Sequence, residues 1–382
     1  MKILFVVHND GFYGANKALL ELMTNLRDTY DITPVVLMSH YGIFCEVLKD
    51  NNIKCYVSHY YWWLNKFSGP FEKVKAIRKQ LKNFFSSFRI KRLVENEKND
   101  LIYSNSLCVS MGYLLAKRLN LPHIWHIRES LSSFQYPFSL PESLTKKMLK
   151  SQANKRFVLI SDYMMNFYAD YLPKERMVRI YDGVEVPKLS RNVQEHKKLQ
   201  VACVGIVSPN KNQIELLQAQ HLLKNKGIEI ETWFIGDKNP PSYLQKCLSF
   251  AHNNGIEKNV HFVGHKDNVF EVLQNMDLGV VCSKDEAFGR TTVEFMMMQI
   301  PVVVSRSGAN TELMQDGVHG FSYELGNIQA FADKIETYVK NRDLIIEQGR
   351  KAQEYAKQHF AAERNAADVY RLIMSVLEQE RN

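Results

Sequence analysis

The stretch KILFVVHNDGFYGANKALLELMTNL at residues 2–26 returns in outline at residues 201–223 as VACVGIVSPNKNQIELLQAQHLL. Each opens on an unbroken apolar run, passes through a short polar turn, and continues with apolar residues at three- and four-residue spacing. A short continuous apolar run suits a strand buried on both faces, and such strands belong to parallel sheets covered by helices. The turn between strand and helix is where sheets of this kind bind ligands, outside the carboxyl ends of their strands.

The same alternation runs along the whole chain. Strands are expected at residues 2–7, 32–39, 53–58, 101–106, 123–128, 157–161 and 177–181, then at 201–207, 228–236, 259–264, 278–283, 301–305 and 320–323. Longer helical patterns separate them, and the polar segment PKLSRNVQEHKKLQ at 187–200 reads as a linker. The expected fold is α/β, with two Rossmann-like, doubly wound domains in tandem that face each other across a cleft.

A chain of 382 residues has the length of two ordinary domains. Its content, 45% hydrophobic and 24% charged, is that of a globular protein rather than a disordered one. No run approaches the roughly 18 apolar residues of a membrane helix, and Asn9 and Asp10 cut the first apolar run too short for a signal-peptide core. The six cysteines have no metal-ligand spacing and read as reduced, which sets the expected location as cytoplasmic.

The net charge of +8 is concentrated between Lys66 and Arg92, where nine basic residues oppose Glu72 alone. Trp62, Trp63, Phe67, Phe71, Phe84, Phe85 and Phe88 interleave with them. Residues 62–92 therefore read either as a solvated helix face or as a basic amphipathic surface for anionic lipid at the inner face of a cell membrane. No nucleic-acid-binding module accompanies the charge, so nucleic acid is not an expected partner.

Several strand ends carry candidate chemistry. Gly11 and Gly14 form either a plain turn or one that lets phosphate approach backbone amides. Lys211, at the start of the second unit's first helix, opposes the helix dipole unless an anion or solvent compensates it. In EAFGRTTVE (286–294), Thr291 and Glu294 fit a capping box, which leaves Glu286 and the Phe288-Gly289 turn unexplained. His126 reads either as a satisfied core histidine or as a ligand-facing one.

Residues 260–325 resemble the signature region of the retaining glycosyltransferase family 4, whose fold is GT-B. The resemblance rests on Glu286-x7-Glu294, then PVV, a Gly-x-x-x-Glu run ending in Glu312, and DGxxG at 316–320. It extends to Gly205-x5-Lys211, Gly14, WHIRE around His126 and YDGVE at 181–185, and so covers both halves.

This resemblance implies a retaining transfer from a nucleotide sugar, UDP-linked rather than GDP-linked, to a saccharide or lipid-linked acceptor in cell-surface polysaccharide synthesis. It implies an acceptor-binding domain at 1–187, a nucleotide-sugar-binding domain at 188–355, and a helix at 356–382 packing back on the first domain. Glu294 would bind ribose hydroxyls and Glu286 the donor sugar, since a carboxylate accepts from neighbouring hydroxyls. Lys211 would hold the diphosphate beside Gly205. Ala287, Phe288 and Gly289 would offer backbone amides, and Gly264 and His265 would meet the base. His126 would sit near the acceptor and the anomeric carbon, with Arg128 and Glu129 beside it orienting acceptor or phosphate. No Asp-x-Asp occurs, so no metal or other cofactor is expected.

Ile206 stands where the family usually has an arginine on the diphosphate, and Gln299 where it usually has glycine. Arg290, at the start of the helix bearing Glu294, is the expected replacement for the lost charge. The alternative is a GT-B-like protein that binds a nucleotide sugar or a partner without turnover.

Overall fold

The computed structural model describes residues 1–65, 69–131, 137–192, 196–238 and 240–381. The chain divides into two compact units, Met1–Gly183 together with Ala362–Asn382, and Val184–Ala361.

The first unit holds β1 (Lys2–Val6), β2 (Thr33–Met38), β3 (Lys54–Val57), β4 (Leu101–Ser104), β5 (His123–Ile127), β6 (Asn154–Leu159) and β7 (Met177–Arg179). They form one parallel sheet in the order β3-β2-β1-β4-β5-β6-β7. The second unit holds β8 (Leu199–Val204), β9 (Ile230–Ile235), β10 (Val260–Gly264), β11 (Leu278–Val281), β12 (Val302–Ser305) and β13 (Gly320–Tyr323). Their order, β10-β9-β8-β11-β12-β13, repeats that of the first sheet, again with parallel pairs. In both sheets the winding reverses beside the first strand, and a crevice opens there at the strand ends.

Every strand expected from the apolar runs is present, because helices cover both faces of each sheet and the strands need no polar side. Ile3, Leu4, Phe5 and Val6 are all inaccessible to solvent, as are Val302, Val303 and Val304. Two strands stop short of their expected ends at glycines. Gly205 follows β8 with φ +136° and Gly236 follows β9 with φ +154°. A Cβ on Gly236 would run into the carbonyl of Gly205, so this crossing of two strand exits requires glycine.

The last helix, Ala362–Arg381, belongs to the first unit. Its Ala366, Val369, Ile373 and Val376 join the core formed by β1, β2 and the helix Gly14–Tyr30, and Tyr370 stacks on Tyr30 at 4.2 Å. The preceding helix, Asp343–Phe360, belongs to the second unit, and Ala361 separates the two in extended backbone. Among the described residues no helix is long and apolar enough to cross a membrane.

Candidate active site

In the second unit the site grows from the ends of β8, β11 and β12. After β8 the chain turns through residues 205–212, and Asn212, at φ +56°, precedes the helix Gln213–Asn225. The turn is fixed by its own polar groups. Gln213 accepts from the Ser208 amide at 3.2 Å and donates to the Ile206 carbonyl at 3.0 Å. The hydrocarbon stem of Lys211 lies over Gly205, where an added Cβ would be 3.5 Å from Cε. The Ile206 side chain remains exposed.

The loop after β11 is tied to this turn. Lys284 N donates to Asn210 O at 2.8 Å, and Cys282 Sγ lies 3.3 Å from Lys211 O. Lys211 Nζ then donates to Glu286 Oε1 at 2.5 Å, with the lysine about a quarter exposed and the carboxylate less than half that. Burial pulls the ammonium down most strongly. The charge and hydrogen bond of Glu286 together outweigh it and hold Lys211 above its usual pKa.

The backbone of Glu286 is clamped from β12. Ala309 N donates to Glu286 O at 2.8 Å, and Gly308, at φ +56°, lies so close that a Cβ there would overlap the Glu286 backbone. Gly308 was visible in the sequence only as the start of the Gly-x-x-x-Glu run, and nothing local pointed to its partner. Asn310, fully buried, donates to Ser305 through Nδ2 and leaves its Oδ1 without a partner beside Gly289.

The expected capping box is not formed. The helix runs Arg290–Met297 and its N-cap is Gly289, at φ +101°, with no side-chain cap. Thr291 lies inside the first turn, because a left-handed residue at 289 starts the helix earlier than any Thr291 cap would. Glu294 therefore faces Arg290 one turn back and accepts from its Nε at 3.1 Å, with both side chains largely buried. Each glutamate of the E-x7-E element is thus already paired with a cation. Phe288 is buried against Phe360 at 5.9 Å. Gly264, at φ +82°, ends β10 and accepts from Gly236 N at 2.9 Å, while the His265 imidazole stays half exposed near Asp267.

The other expected residues lie in the first unit. Gly14 is exposed at the start of its helix, and an added Cβ there would meet nothing within 4 Å. His126, on β5, is inaccessible to solvent. Its Nδ1 meets Tyr103 Oη at 2.7 Å and Arg128 Nη2 at 3.3 Å, which makes Nδ1 the acceptor and puts the proton on Nε2. Nε2 has no hydrogen-bond partner; the nearest acid, Asp182, is 3.7 Å away. Burial, with help from the Arg128 charge, holds His126 well below its ordinary pKa and so neutral.

Arg128 pairs with Asp182 and donates to Asn105 at 2.8 Å. Glu129 accepts from Ser106 Oγ at 2.5 Å, Cys108 N at 3.0 Å and its neighbour's amide at 3.1 Å. Both side chains are thus committed inside the unit. Tyr103, Asn105, Ser106 and Asp182 were not singled out in the sequence, since only the neighbouring strand β4 and the segment after β7 bring them to β5.

Repeated Rossmann-like units, glycine turns at the switch points and clustered charges on the second unit's strand ends define a GT-B glycosyltransferase. Residues 187–359 match the family model "Glycosyl transferases group 1", and through this domain the chain belongs to the group 1 glycosyltransferases. An uncharacterized glycosyltransferase of Methanocaldococcus jannaschii is 26% identical over 317 residues, covering 81% of this chain and 82% of that one. The capsular polysaccharide biosynthesis glycosyltransferase CapH of Staphylococcus aureus is 21% identical over 68% of this chain and 69% of its own. Among solved structures, Anabaena HepE in complex with UDP-glucose superposes with a TM-score of 0.80 at 20% identity, covering 98% of this chain and all of that one.

Proposed function

We propose that the protein transfers a sugar, with retention at the anomeric carbon, from a UDP-sugar to a lipid-linked saccharide in cell-surface polysaccharide synthesis. The observation that carries this reading is the pair Lys211–Glu286 beside the bare Gly205 turn. A diphosphate seated at this turn draws the ammonium to itself. That frees Glu286 to accept from donor-sugar hydroxyls, so one event loads both ends of the donor. Arg290–Glu294 repeats the exchange one turn into the next helix, with Glu294 on ribose and Arg290 on phosphate. Ala287, Phe288 and Gly289 present amides at the helix start, and Gly264 and His265 border the base.

In the transfer, the acceptor oxygen bonds to the anomeric carbon as the bond to the β-phosphate oxygen breaks. The acceptor proton passes to that leaving oxygen on the same face. The protein's part is to stabilise the growing diphosphate charge with Lys211 and Arg290, without a metal, and to hold the acceptor in line. The orphan Nε2–H of neutral His126 is the donor assigned to the reacting sugars, and Arg128 and Glu129 hold its surroundings rather than the ligand. At Gly14 neither packing nor backbone strain calls for glycine, which leaves close approach of a ligand as its use. UDP is favoured because the similar HepE structure holds UDP-glucose, and a polysaccharide product because CapH is named for one.

A membrane face is assigned to the helix Pro70–Val94. Phe71, Leu81, Phe85 and Phe88 are exposed along one stripe, the first of them 82%. Basic residues flank the stripe, eight of them against Glu72 alone. An apolar stripe between basic flanks suits an anionic lipid surface, and places the enzyme at the inner face of the membrane as a peripheral protein. Trp63 does not belong to this surface, being inaccessible and stacked on Trp125 at 5.4 Å. Lys66 and Phe67 lie outside the described residues.

The test is nucleotide release from a panel of UDP-, GDP- and ADP-sugars in the presence of membrane extract. Acceptor-dependent release from a UDP-sugar with retained configuration is the expected result. Release from none of them would sink the reading.

A further inference from the structure

The carboxyl ends of β1, β2 and β3 enclose a pocket of about 390 Å³ that the donor chemistry leaves unused. His8 and Asp10 enter it from the turn after β1, His40 from β2, His59 and Tyr61 from the segment after β3, and Lys79 from the helix Pro70–Val94. Its size suits a small ligand, and its position is the binding end of a parallel sheet.

Its polar groups are set up for hydroxyls. Asn16 donates to Asn9 Oδ1 at 2.7 Å, so the Asn9 amide must present its NH2 to His8 Nε2, 2.8 Å away. The proton of His8 is then on Nδ1, a buried donor with no partner. Burial keeps this imidazole neutral. His40 spends both nitrogens, one on Ser39 and one on His59, each at 2.9 Å. The Asp10 carboxylate is exposed and has no partner among the described residues. Donor, acceptor and an aromatic face at Tyr61 together match a sugar, which offers hydroxyls on its rim and C–H groups on its face.

The same helix carries the membrane stripe outside and holds the pocket inside. Asn83, almost fully buried, bonds Tyr61 N and Tyr61 O, both at 2.8 Å, and Gln80 donates to Trp62 O at 2.9 Å. Lys79 and Lys82 stand over the Tyr61 ring at 5.7 and 5.9 Å, which puts positive charge where pocket and stripe meet.

We infer that this pocket seats the saccharide of a lipid-anchored acceptor, with its hydroxyls on Asp10 and His8 and its ring against Tyr61. The anionic link to the lipid lies by Lys79 and Lys82, and the lipid lies along the exposed stripe of the helix. The inference rests on the acceptor class proposed above and adds the residues that read it.

Neutral n-octyl glycosides of glucose, galactose and N-acetylglucosamine serve as soluble probes, titrated calorimetrically into the full chain with and without UDP. At least one saturates the wild type. Asp10→Asn and Tyr61→Ala weaken it tenfold or more, Tyr61→Phe restores it, and UDP affinity is unchanged throughout. No binding by any of the three, or binding indifferent to Asp10 and Tyr61, overturns the pocket. Failure of the transfer reading is a different result: no UDP-sugar turnover, with octyl-glycoside binding still dependent on both residues.

Discussion

Lys211 Nζ lies 2.5 Å from Glu286 Oε1, joining residues 75 apart in the chain across the ends of β8 and β11. The pair is partly buried, so removing either member strands the other. Lys211→Ala is expected to weaken UDP binding at least tenfold, whereas Glu286→Gln leaves it within about threefold and cuts turnover about a hundredfold, on the scale of one charge-assisted contact. Equal loss of UDP affinity in both variants would contradict the exchange of partners.

The same pair makes a pH prediction. Glu286 is what holds Lys211 above its usual pKa, and burial alone pushes it down. In Glu286→Gln the lysine therefore deprotonates earlier, and the alkaline limb of UDP affinity moves to lower pH. Calorimetric titration between pH 7 and 10.5 reads it; an unmoved limb would mean that Lys211 does not hold the diphosphate.

Arg290 stands at the helix start, held by Glu294 at 3.1 Å, while Ile206 offers the diphosphate no charge. Arg290→Ala is expected to reduce turnover by about 10- to 1000-fold, and adding Ile206→Arg to recover part of it. Glu294→Ala is expected to lower UDP affinity through the ribose without removing a helix cap, since Gly289 is the N-cap. Unchanged turnover in Arg290→Ala, measured on the true donor, would remove Arg290 from the mechanism.

The first unit keeps three buried histidines neutral. His123 bonds Ser104 and Asn154 at 2.8 and 2.7 Å and is pushed down to about 4, and burial also lowers His8 and His126. Their depressed pKa values make the unfolded chain bind more protons below 6.5. The stability they confer is therefore complete above that pH and is lost as pH falls from 6.5 towards 4. Urea midpoints of the first unit should decline across this window, and a flat profile would mean that these histidines are not held neutral.

Gln299 occupies a left-handed position at φ +59°, just past the helix Arg290–Met297, with its side chain exposed. Glycine suits such a C-terminal position better. Gln299→Gly is expected to stabilise the second unit by about 1 kcal/mol, less the surface hydrogen bond to Gln353. Thermal unfolding would show the gain; a loss of stability would mean that the Gln353 contact outweighs backbone strain.

The apolar stripe predicts salt-sensitive membrane binding. Wild type should co-sediment with anionic vesicles at low salt, while Phe71→Ser combined with Phe85→Ser should remain in the supernatant. Retention of the double variant on vesicles would assign the exposed stripe another role.

How far the sequence reached depended on the range of each signal. Strand positions and the repeated strand–turn–helix grammar were legible, because an apolar run and a glycine turn depend on neighbours a few residues away. The acids of the E-x7-E element were legible as a pattern, but their partners were not. Glu286 meets Lys211 because β8 and β11 are adjacent in the sheet, and Gly308 clamps Glu286 because β12 comes next. The helix start at Gly289 was misread in favour of Thr291, because a left-handed φ is a property of the folded loop.

Helical spacing in residues 70–94 showed which residues share a face but not which face is covered. The fold covers Gln80 and Asn83, which bond the loop at Tyr61 and Trp62, and leaves Phe71 and Phe85 outside. Sequence alone determined the two units, their strands and the acids at the strand ends, since those follow from local pattern. Only the tertiary structure decided which charge meets which acid, and which side of the basic helix faces out, because each depends on what the sheet order brings alongside.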